Sequence, residues 1–260
     1  MIDSHCHLDL PAFANDWEAV VAESQAQGVR RMLIPGTTES GWRKQCLMAQ
    51  RISCLDIAFG LHPYFFPTQA DKALTTLADR LADTGRSAAL VAVGEIGIDA
   101  SIDTPLDKQQ YLFEEQLGLA ARHHLPVILH HRRSHHLLIE SLKRCQFSGG
   151  GVVHAFSGSE QVAKSYIDLG FRLGVGGTIT YARAKKTRQT IGKTDINHLL
   201  LETDAPDMPL AGRQGSRNSP VFLAEVATAL AQLHNTTLAA VSEQTDSNYQ
   251  SVFGRVNHCK

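Results

Sequence analysis

Eight short apolar runs recur along the sequence, and their regular spacing restricts the folds that this chain can adopt. Each run has the length and composition of a β-strand and is followed by a polar or turn-forming segment. The runs are Ile2–Leu8, Arg30–Pro35, Asp56–Gly60, Leu90–Glu95, Pro126–His130, Val152–His154, Phe171–Val175 and His198–Glu202. We therefore predict eight strands.

Helix-like stretches separate these runs. The first, Asp16–Gln27, has Asn15 and Glu18 as an N-terminal cap and Gly28 as a stop signal. The others are Glu39–Arg51, Asp71–Thr84, Leu106–His124, His135–Cys145, Glu160–Leu169, Pro220–His234, Leu238–Phe253 and a weaker helix at Ala182–Thr194. Strands that alternate with helices pair in parallel, and eight such units predict an α/β protein with a (β/α)8 TIM barrel.

The main alternative is a doubly wound open sheet, but its Gly-x-Gly-x-x-Gly turn after the first strand is absent. No Gly/Ser linker or shift in composition marks a boundary, so we expect a single domain spanning residues 1–260. The net charge is −1, which argues against coating nucleic acid through overall charge but permits a local basic patch.

Cysteine usage and hydropathy bear on location. Five cysteines form no Cys-x-x-Cys pair, a pattern that fits a reducing compartment. No apolar run approaches the roughly 20 residues of a membrane span, and the first ten residues contain no Lys or Arg. We expect a cytoplasmic protein without a membrane anchor or an obligate protein partner.

Metal-ligand residue types collect at the ends of the predicted strands. His5 and His7 alternate in the first run, so their imidazoles should share one face of the strand. The other candidates are Glu95, His130, His154 and Asp204. Strand ends meet at one mouth of a barrel, and four imidazoles with two carboxylates exceed one tetrahedral site. They suit two divalent ions about 3.5–4 Å apart that share a bridging carboxylate.

Other histidines fit structural positions better. His131 should point away from the face that carries His130, and His135 and His136 should open the next helix in solvent. His62 follows the third strand in Gly-Leu-His-Pro, at the end of the barrel where substrate binds. We therefore predict a substrate contact for His62.

A phosphate substrate requires cationic groups as well. Arg132 should lie at the rim, while Arg217 and Asn218 lie on the loop after the eighth strand, a common phosphate seat in barrels. Two further groups of residues each allow two interpretations. Tyr64, Phe65 and Phe66 either stack a base or pack their loop, and four cations either bind phosphate or form a solvated helix face: Arg183, Lys185, Lys186 and Arg188.

Seven segments, in this order, resemble the TatD family of metal-dependent hydrolases, within the amidohydrolase-like barrels. They begin with Ile2-Asp-Ser-His-Cys-His-Leu-Asp9 and Gly60-Leu-His-Pro63, and they continue with Gly94-Glu-Ile-Gly-Ile-Asp99, Leu125-Pro-Val-Ile-Leu-His-His-Arg132, Gly151-Val-Val-His-Ala-Phe-Ser-Gly158, Leu201-Glu-Thr-Asp-Ala-Pro206 and Arg217-Asn-Ser-Pro220. Length and motif details are closest to the bacterial YjjV branch.

The resemblance implies a barrel, two divalent metals and hydrolysis of phosphoester bonds, in several members as a deoxyribonuclease. On that pattern His5, His7, Glu95 and Asp204 hold one metal, and Glu95, His130 and His154 hold the other. Two departures lie close to the expected pocket. Ala100 stands where an aromatic residue is frequent, and His131 where a small residue is usual.

We expect a two-metal hydrolase, most simply a deoxyribonuclease acting on single-stranded DNA or 3′ ends, with zinc, manganese or magnesium. Glu95 would fix the separation of the ions, and Asp204 would also accept or relay the proton of the attacking water. The alternative is a metal-dependent hydrolase of a small-molecule ester, amide or phosphomonoester. A non-catalytic metal-bearing protein is a third possibility, which the complete ligand set disfavours.

Overall fold

A computed structural model describes residues 1–83, 87 and 89–254. Within this part of the chain, eight parallel strands form one sheet in which each strand pairs with the next along the sequence. The strands are β1 Ile2–Asp3, β2 Arg31–Ile34, β3 Leu55–Phe59, β4 Leu90–Asp99, β5 Val127–Arg132, β6 Gly151–Val153, β7 Phe171–Val175 and β8 Leu199–Leu201. The predicted strand number and the barrel are confirmed.

Helices follow the strands and cover the outside of the sheet. They are α1 Trp17–Ala26, α2 Glu39–Arg51, α3 Ala70–Ala82, α4 Leu106–Arg122, α5 His135–Arg144, α6 Glu160–Asp168, α7 Lys185–Lys193, α8 Leu223–Leu233 and α9 Leu238–Phe253. The predicted end of the third helix, Thr84, lies outside the described residues. Helix α1 begins after Asp16 without a side-chain cap bond, so the predicted cap at Asn15 is wrong.

Hydrogen bonds close the barrel between its first and last strands. Ser4 N donates to Leu201 O at 2.9 Å, and His7 N donates to Ala205 O at 2.7 Å. The buried Asp3 carboxylate accepts from Thr203 N at 3.0 Å and from Thr203 Oγ1 at 2.6 Å. The segments on either side of this junction therefore have fixed positions relative to each other.

Two apolar clusters hold the layers together. The larger one packs the outer face of the strands against the helices. The smaller one fills the barrel with one or more side chains from most strands, such as Leu33, Ile128 and Leu200, and with Tyr249 and Phe253 of α9. Within the described part of the chain, α9 thus covers the end of the barrel where the strands begin.

Three strands end more than one residue away from their predicted ends, at the functional end of the barrel. Strand β1 ends at Asp3 and does not reach Leu8, while β4 and β5 run past Glu95 and His130 to Asp99 and Arg132. The pairing register of β4 with β5 shifts between Val93 and Ile96, and the Gly94–Glu95 peptide is cis. Glu95 thus lies in an irregular section of a strand, whereas we had predicted it at a strand end.

Among the described residues, no helix combines the length and the apolar character that crossing a bilayer requires.

Candidate metal centre

Glu95 lies at the centre of a cluster of four histidines. Its Oε2 is 3.2 Å from His5 Nε2 and 3.5 Å from His7 Nε2. Its Oε1 is 2.9 Å from His130 Nδ1 and 3.4 Å from His62 Nε2. Each carboxylate oxygen therefore faces one pair of imidazoles.

The backbone around Glu95 is tightly packed against its neighbours. Glu95 N donates to Gly36 O at 2.7 Å, and Gly36 N donates to Gly94 O at 2.8 Å. A Cβ on Gly60 would lie 2.6 Å from the carbonyl carbon of Gly94, so only glycine fits beside this peptide. The close approach of two strands fixes the position of the carboxylate.

His5 and His7 follow β1 on the segment that crosses the barrel junction. Their Nε2 atoms are 3.1 Å apart, so the predicted convergence is present although the strand ends earlier than predicted. Cys6, between them, is buried and points to Leu33 O. Alternation of side chains across this segment therefore holds without strand pairing.

Asp204 approaches the same cluster from beyond β8. Its Oδ1 is 3.7 Å from each Nε2 atom of His5, His7 and His154. Asp204 has a φ of 58°, in the left-handed region, and its N–H donates to His5 O at 2.9 Å. This hydrogen bond thus links the turn after β8 to the segment after β1.

Glu202 is a site residue that the sequence analysis missed. It is fully buried, and its Oε1 accepts from Ala155 N at 2.6 Å and lies 3.0 Å from His154 Nδ1. Carboxylates in this position orient a ligating imidazole from behind. The alternation argument used for His5 and His7 would have found Glu202, since it precedes Asp204 by two residues.

The donor atoms fit divalent cations. Two ligand atoms that each lie about 2.0–2.1 Å from one tetrahedral ion are roughly 3.3 Å apart. The distances from His5 Nε2 and His7 Nε2 to each other, to Glu95 Oε2 and to Asp204 Oδ1 run from 3.1 to 3.7 Å. Two imidazole nitrogens facing each other beside two carboxylates match the ligand set that such an ion requires.

A second group contains His62, Glu95 and His130, whose ligand atoms lie within 4.8 Å of one another. We had predicted His62 as a substrate contact and had grouped His154 with Glu95 and His130. The structure brings His62 into that group and places His154 in a third group, with His5 and Glu202, where its ring stacks 3.6 Å from that of His5. The predicted role of His154 as a metal ligand stays a prediction.

Electrostatics favour a charged carboxylate among neutral and cationic imidazoles. Burial alone would raise the pKa of Glu95, but His62, His5 and His154 bring that pKa well below its ordinary value. Burial, and then His154, lowers the pKa of His5 well below its ordinary value, which leaves a neutral nitrogen. Both are the protonation states that metal ligation requires.

The cluster forms the floor of a cavity of about 550 Å³. His131 and Arg132 of β5, Tyr64, Phe65 and Met208 line its walls. Arg132 is exposed at the rim, as predicted, and its guanidinium forms no hydrogen bond or ion pair within the described part of the chain. It is therefore available to an anionic ligand.

Arg217 and Asn218, the other predicted substrate contacts, lie outside this lining. Arg217 forms a two-pronged ion pair with Asp16, at 2.9 and 2.6 Å, and also donates to Ala12 O. Asn218 is buried, and its Nδ2 donates to three backbone carbonyls, those of Thr203, Asp207 and Met208. The geometry assigns both side chains to holding the loop after β8.

His131 and His135 differ from their predicted settings. His131 lines the cavity and stacks 4.1 Å from the ring of His135. His135 opens α5, as predicted, but it is half-buried because its ring nitrogens contact Tyr166 Oη and Ser157 O. His136 is exposed, as predicted.

The two groups with open interpretations differ in position, and their roles stay predictions. Tyr64 and Phe65 are 65% and 45% exposed at the cavity, whereas Phe66 packs against the core. The cations after β7 do not line the described cavity: Arg183 covers the ring of Tyr181, Arg188 donates to Ile179 O, and Lys185 and Lys186 are exposed.

Comparison with known proteins gives consistent matches over the whole described barrel. The family model of TatD-related DNases matches residues 2–254. An uncharacterized metal-dependent hydrolase of Escherichia coli K12, YjjV, is 44% identical to this chain over 97% of both chains. The crystal structure of YjjV superposes on this structure with a TM-score of 0.94, at 43% identity over 98% of both chains. A 3′-5′ ssDNA/RNA exonuclease TatD of Cronobacter sakazakii is 33% identical over 97% of both chains.

Proposed function

Since this chain belongs to the TatD family of metal-dependent hydrolases, we propose that it removes nucleotides from the 3′ end of single-stranded DNA with the help of two divalent ions. The observation that carries this proposal is the Glu95 carboxylate, each oxygen of which faces a separate pair of imidazoles. Family relatives named as 3′-5′ ssDNA/RNA exonucleases support the choice of substrate.

In this proposal, His5, His7, Glu95 and Asp204 hold one ion. Glu95, His130 and His62 would hold the second ion, and His154, whose Nε2 lies 3.7 Å from Asp204 Oδ1, would be a further ligand of the pair. Two such ions supply a nucleophile from water near neutral pH and neutralise charge on the phosphate oxygens. Imidazole ligands suit zinc or manganese, and the carboxylates also accept magnesium.

The protein's own groups then have distinct tasks. Glu95 stays ionised and fixes the spacing of the ligand groups. We assign Asp204 to accepting the proton of the attacking water, because it lines the cavity and its Oδ1 faces three imidazoles. Arg132 pairs with the phosphate at the rim, where its planar guanidinium can donate two hydrogen bonds.

His130 and His154 each have a carboxylate behind the ring. Asp99 Oδ2 is 3.5 Å from His130 Nε2, and Glu202 Oε1 is 3.0 Å from His154 Nδ1. Such contacts fix the orientation of a ligating ring. We assign Asp99 and Glu202 to positioning these histidines.

A second candidate function is hydrolysis of a small-molecule ester, amide or phosphomonoester. It is favoured by the size of the cavity, about 550 Å³, and by its lining, in which Arg132 is the one arginine among the described residues. A cavity of this volume accommodates a substrate about the size of one nucleotide, so such a substrate needs no contacts outside the cavity.

The test uses a single-stranded oligonucleotide labelled at its 5′ end. We expect the chelator-treated protein to be inactive and added divalent ions to restore a ladder of products shortened from the 3′ end. An oligonucleotide blocked at the 3′ end serves as the control. If only small phosphomonoesters or carboxylic esters are hydrolysed after metal is restored, the second candidate function replaces the first.

A further inference from the structure

A second cavity, which the proposed mechanism does not use, lies between α2 and α3. It has a volume of about 800 Å³ and exceeds the catalytic cavity in size. Its walls include Trp42, Arg43 and Cys46 of α2, Phe59 at the end of β3, Phe65 and Arg80 of α3. We call it the α2–α3 cavity.

Phe65 lines both cavities. Its ring lies 5.6 Å from the ring of His62 on the catalytic side and 5.1 Å from the exposed ring of Tyr64. The one-turn helix that carries it is held by His62, because Phe65 N donates to His62 O and Tyr64 N donates to His62 Nδ1. An exposed aromatic ring with a fixed backbone therefore joins the two cavities.

Two arginines in the α2–α3 cavity lack partners. Arg43 and Arg80 are exposed, and within the described part of the chain neither forms a hydrogen bond or an ion pair. By contrast, Arg30, Arg31 and Arg51 each pair with a carboxylate. The guanidinium groups of Arg43 and Arg80 are thus available to an anionic ligand.

Two carboxylates, Glu39 and Asp83, line the same cavity. The charges of the described lining residues therefore nearly cancel, so we expect attraction of a polyanion to come from direct contacts with the two arginines. The catalytic cavity holds a single arginine among its described lining residues and has room for about one nucleotide. A strand that enters it needs a surface for the nucleotides that follow.

We propose that the α2–α3 cavity is a subsite for single-stranded nucleic acid, in which a base stacks on Phe65 and phosphates of the following nucleotides pair with Arg43 and Arg80. Stacking on an aromatic ring accepts every base, and arginine pairs with phosphate in two-pronged geometry. This inference rests on the proposed function, since it assumes that the substrate is a strand longer than one nucleotide.

Equilibrium binding tests the arginines. The probe is a fluorescent single-stranded oligonucleotide with nuclease-resistant linkages, bound to the metal-supplied protein. We expect the double variant Arg43→Ala/Arg80→Ala to bind the oligonucleotide about tenfold more weakly. The slope of log K against log salt concentration should become less steep by about 1.4, because each phosphate contact on a single strand contributes about 0.7 to that slope. Glu39→Gln should strengthen binding, because it removes a negative charge.

Arg51→Ala is the matched control, because Arg51 also lies on α2 but pairs with Glu18 outside the cavity. It should leave binding unchanged. Hydrolysis of a mononucleotide p-nitrophenyl ester should also stay unchanged in the double variant, because that substrate does not reach the α2–α3 cavity. The proposal would be overturned if the double variant lost hydrolysis of the mononucleotide ester to the same extent as affinity for the oligonucleotide. It would also be overturned if the double variant and the unmodified protein bound the oligonucleotide equally well.

Cys46 offers an independent measurement. Its thiol is half-buried in the α2–α3 cavity, whereas Cys145, at the end of α5, is exposed and is not among the described lining residues. We expect the oligonucleotide to slow alkylation of Cys46, measured by peptide mass spectrometry, and to leave Cys145 unaffected. Undiminished alkylation of Cys46 at saturating oligonucleotide contradicts the subsite. Protection of Cys46 without any hydrolysis of nucleic acid would support the subsite and reject the proposed nuclease activity.

Discussion

At the scale of single residues, Glu95 has the greatest effect on the cluster. Its two oxygens contact both groups of imidazoles, and the side chain is buried. A neutral amide in its place would keep the shape but lose the negative charge that the proposed cations require. The side chain is therefore expected to matter for metal binding far more than for folding.

We predict that Glu95→Gln lowers turnover at least about a thousandfold, because bridging charge and metal spacing are lost together. Metal content by elemental analysis should fall, while the circular dichroism spectrum stays unchanged. Glu115→Gln, an exposed site on α4, is the control and should retain full activity. Retained turnover in Glu95→Gln would reject the role assigned to this carboxylate.

Arg132 allows a second prediction at this scale. Removing a guanidinium that donates to phosphate costs about 1.5–3 kcal/mol, so Arg132→Ala should raise KM for phosphodiesters roughly 10- to 100-fold. Uncharged esters should be affected much less. Arg133→Ala is the matched control, since Arg133 is exposed but does not line the cavity. A similar loss on both classes of substrate would show that Arg132 acts on the fold of the rim.

At the scale of elements, the number and order of the strands could be predicted from the sequence, whereas the points at which the strands end could not. Alternating apolar runs and helices suffice to predict the barrel, because parallel pairing requires such crossovers. They do not predict that β4 and β5 extend together to Asp99 and Arg132, since this depends on pairing between strands. For the same reason, the position of His62 beside Glu95 depends on close packing at Gly60 and Gly94, which no local pattern reveals.

Arg217 and Asn218 show the limit of arguments from loop position. Both lie after β8, where barrels often bind phosphate, yet Asp16 and three backbone carbonyls take up their donors. Asp16 lies 201 residues away from Arg217 in the sequence. Only the folded chain shows that these donors are already used.

Gly174 of β7 provides a test at the element scale. A Cβ at this position would lie 2.2 Å from Glu202 Oε2, so Gly174→Ala must displace the carboxylate that orients His154. We expect metal affinity to fall about 10- to 100-fold, as for other changes behind a ligating histidine. Isothermal titration with zinc or manganese measures the change.

Gly176→Ala is the matched control, because its Cβ would lie 3.6 Å from Glu202 in ordinary contact. It should keep nearly unchanged affinity. If both variants bind metal equally well, then Glu202 has no positioning role.

At the scale of the whole molecule, the junction between the first and last strands is the place where the barrel depends on polar contacts. Asp3 is fully buried there, and Thr203 donates to it from its backbone and from its hydroxyl group. A buried carboxylate requires such donors because its charge is poorly solvated. The closure of the barrel is thus sensitive to a single hydroxyl group.

We predict that Thr203→Val lowers the free energy of unfolding by about 1.5–3 kcal/mol, because the hydrogen bond to the buried Asp3 carboxyl group and the one accepted from Ala205 N are lost at nearly constant volume. The urea midpoint should fall without a change in slope. Thr228→Val on the exposed face of α8 removes only a bond to its own helix and should change stability by less than about 0.5 kcal/mol. A midpoint equal in the two variants would contradict the role of Thr203.

The same junction has a consequence for thermal unfolding. His5 and His7 come from the start of the chain and Asp204 from near its end, so a cation that they share cross-links two distant parts of the polypeptide. Ligands that bind only the native state stabilise it by mass action, by about 2.7 kcal/mol at a hundredfold excess over Kd. The melting temperature should therefore report occupancy of this centre, even when no substrate is known.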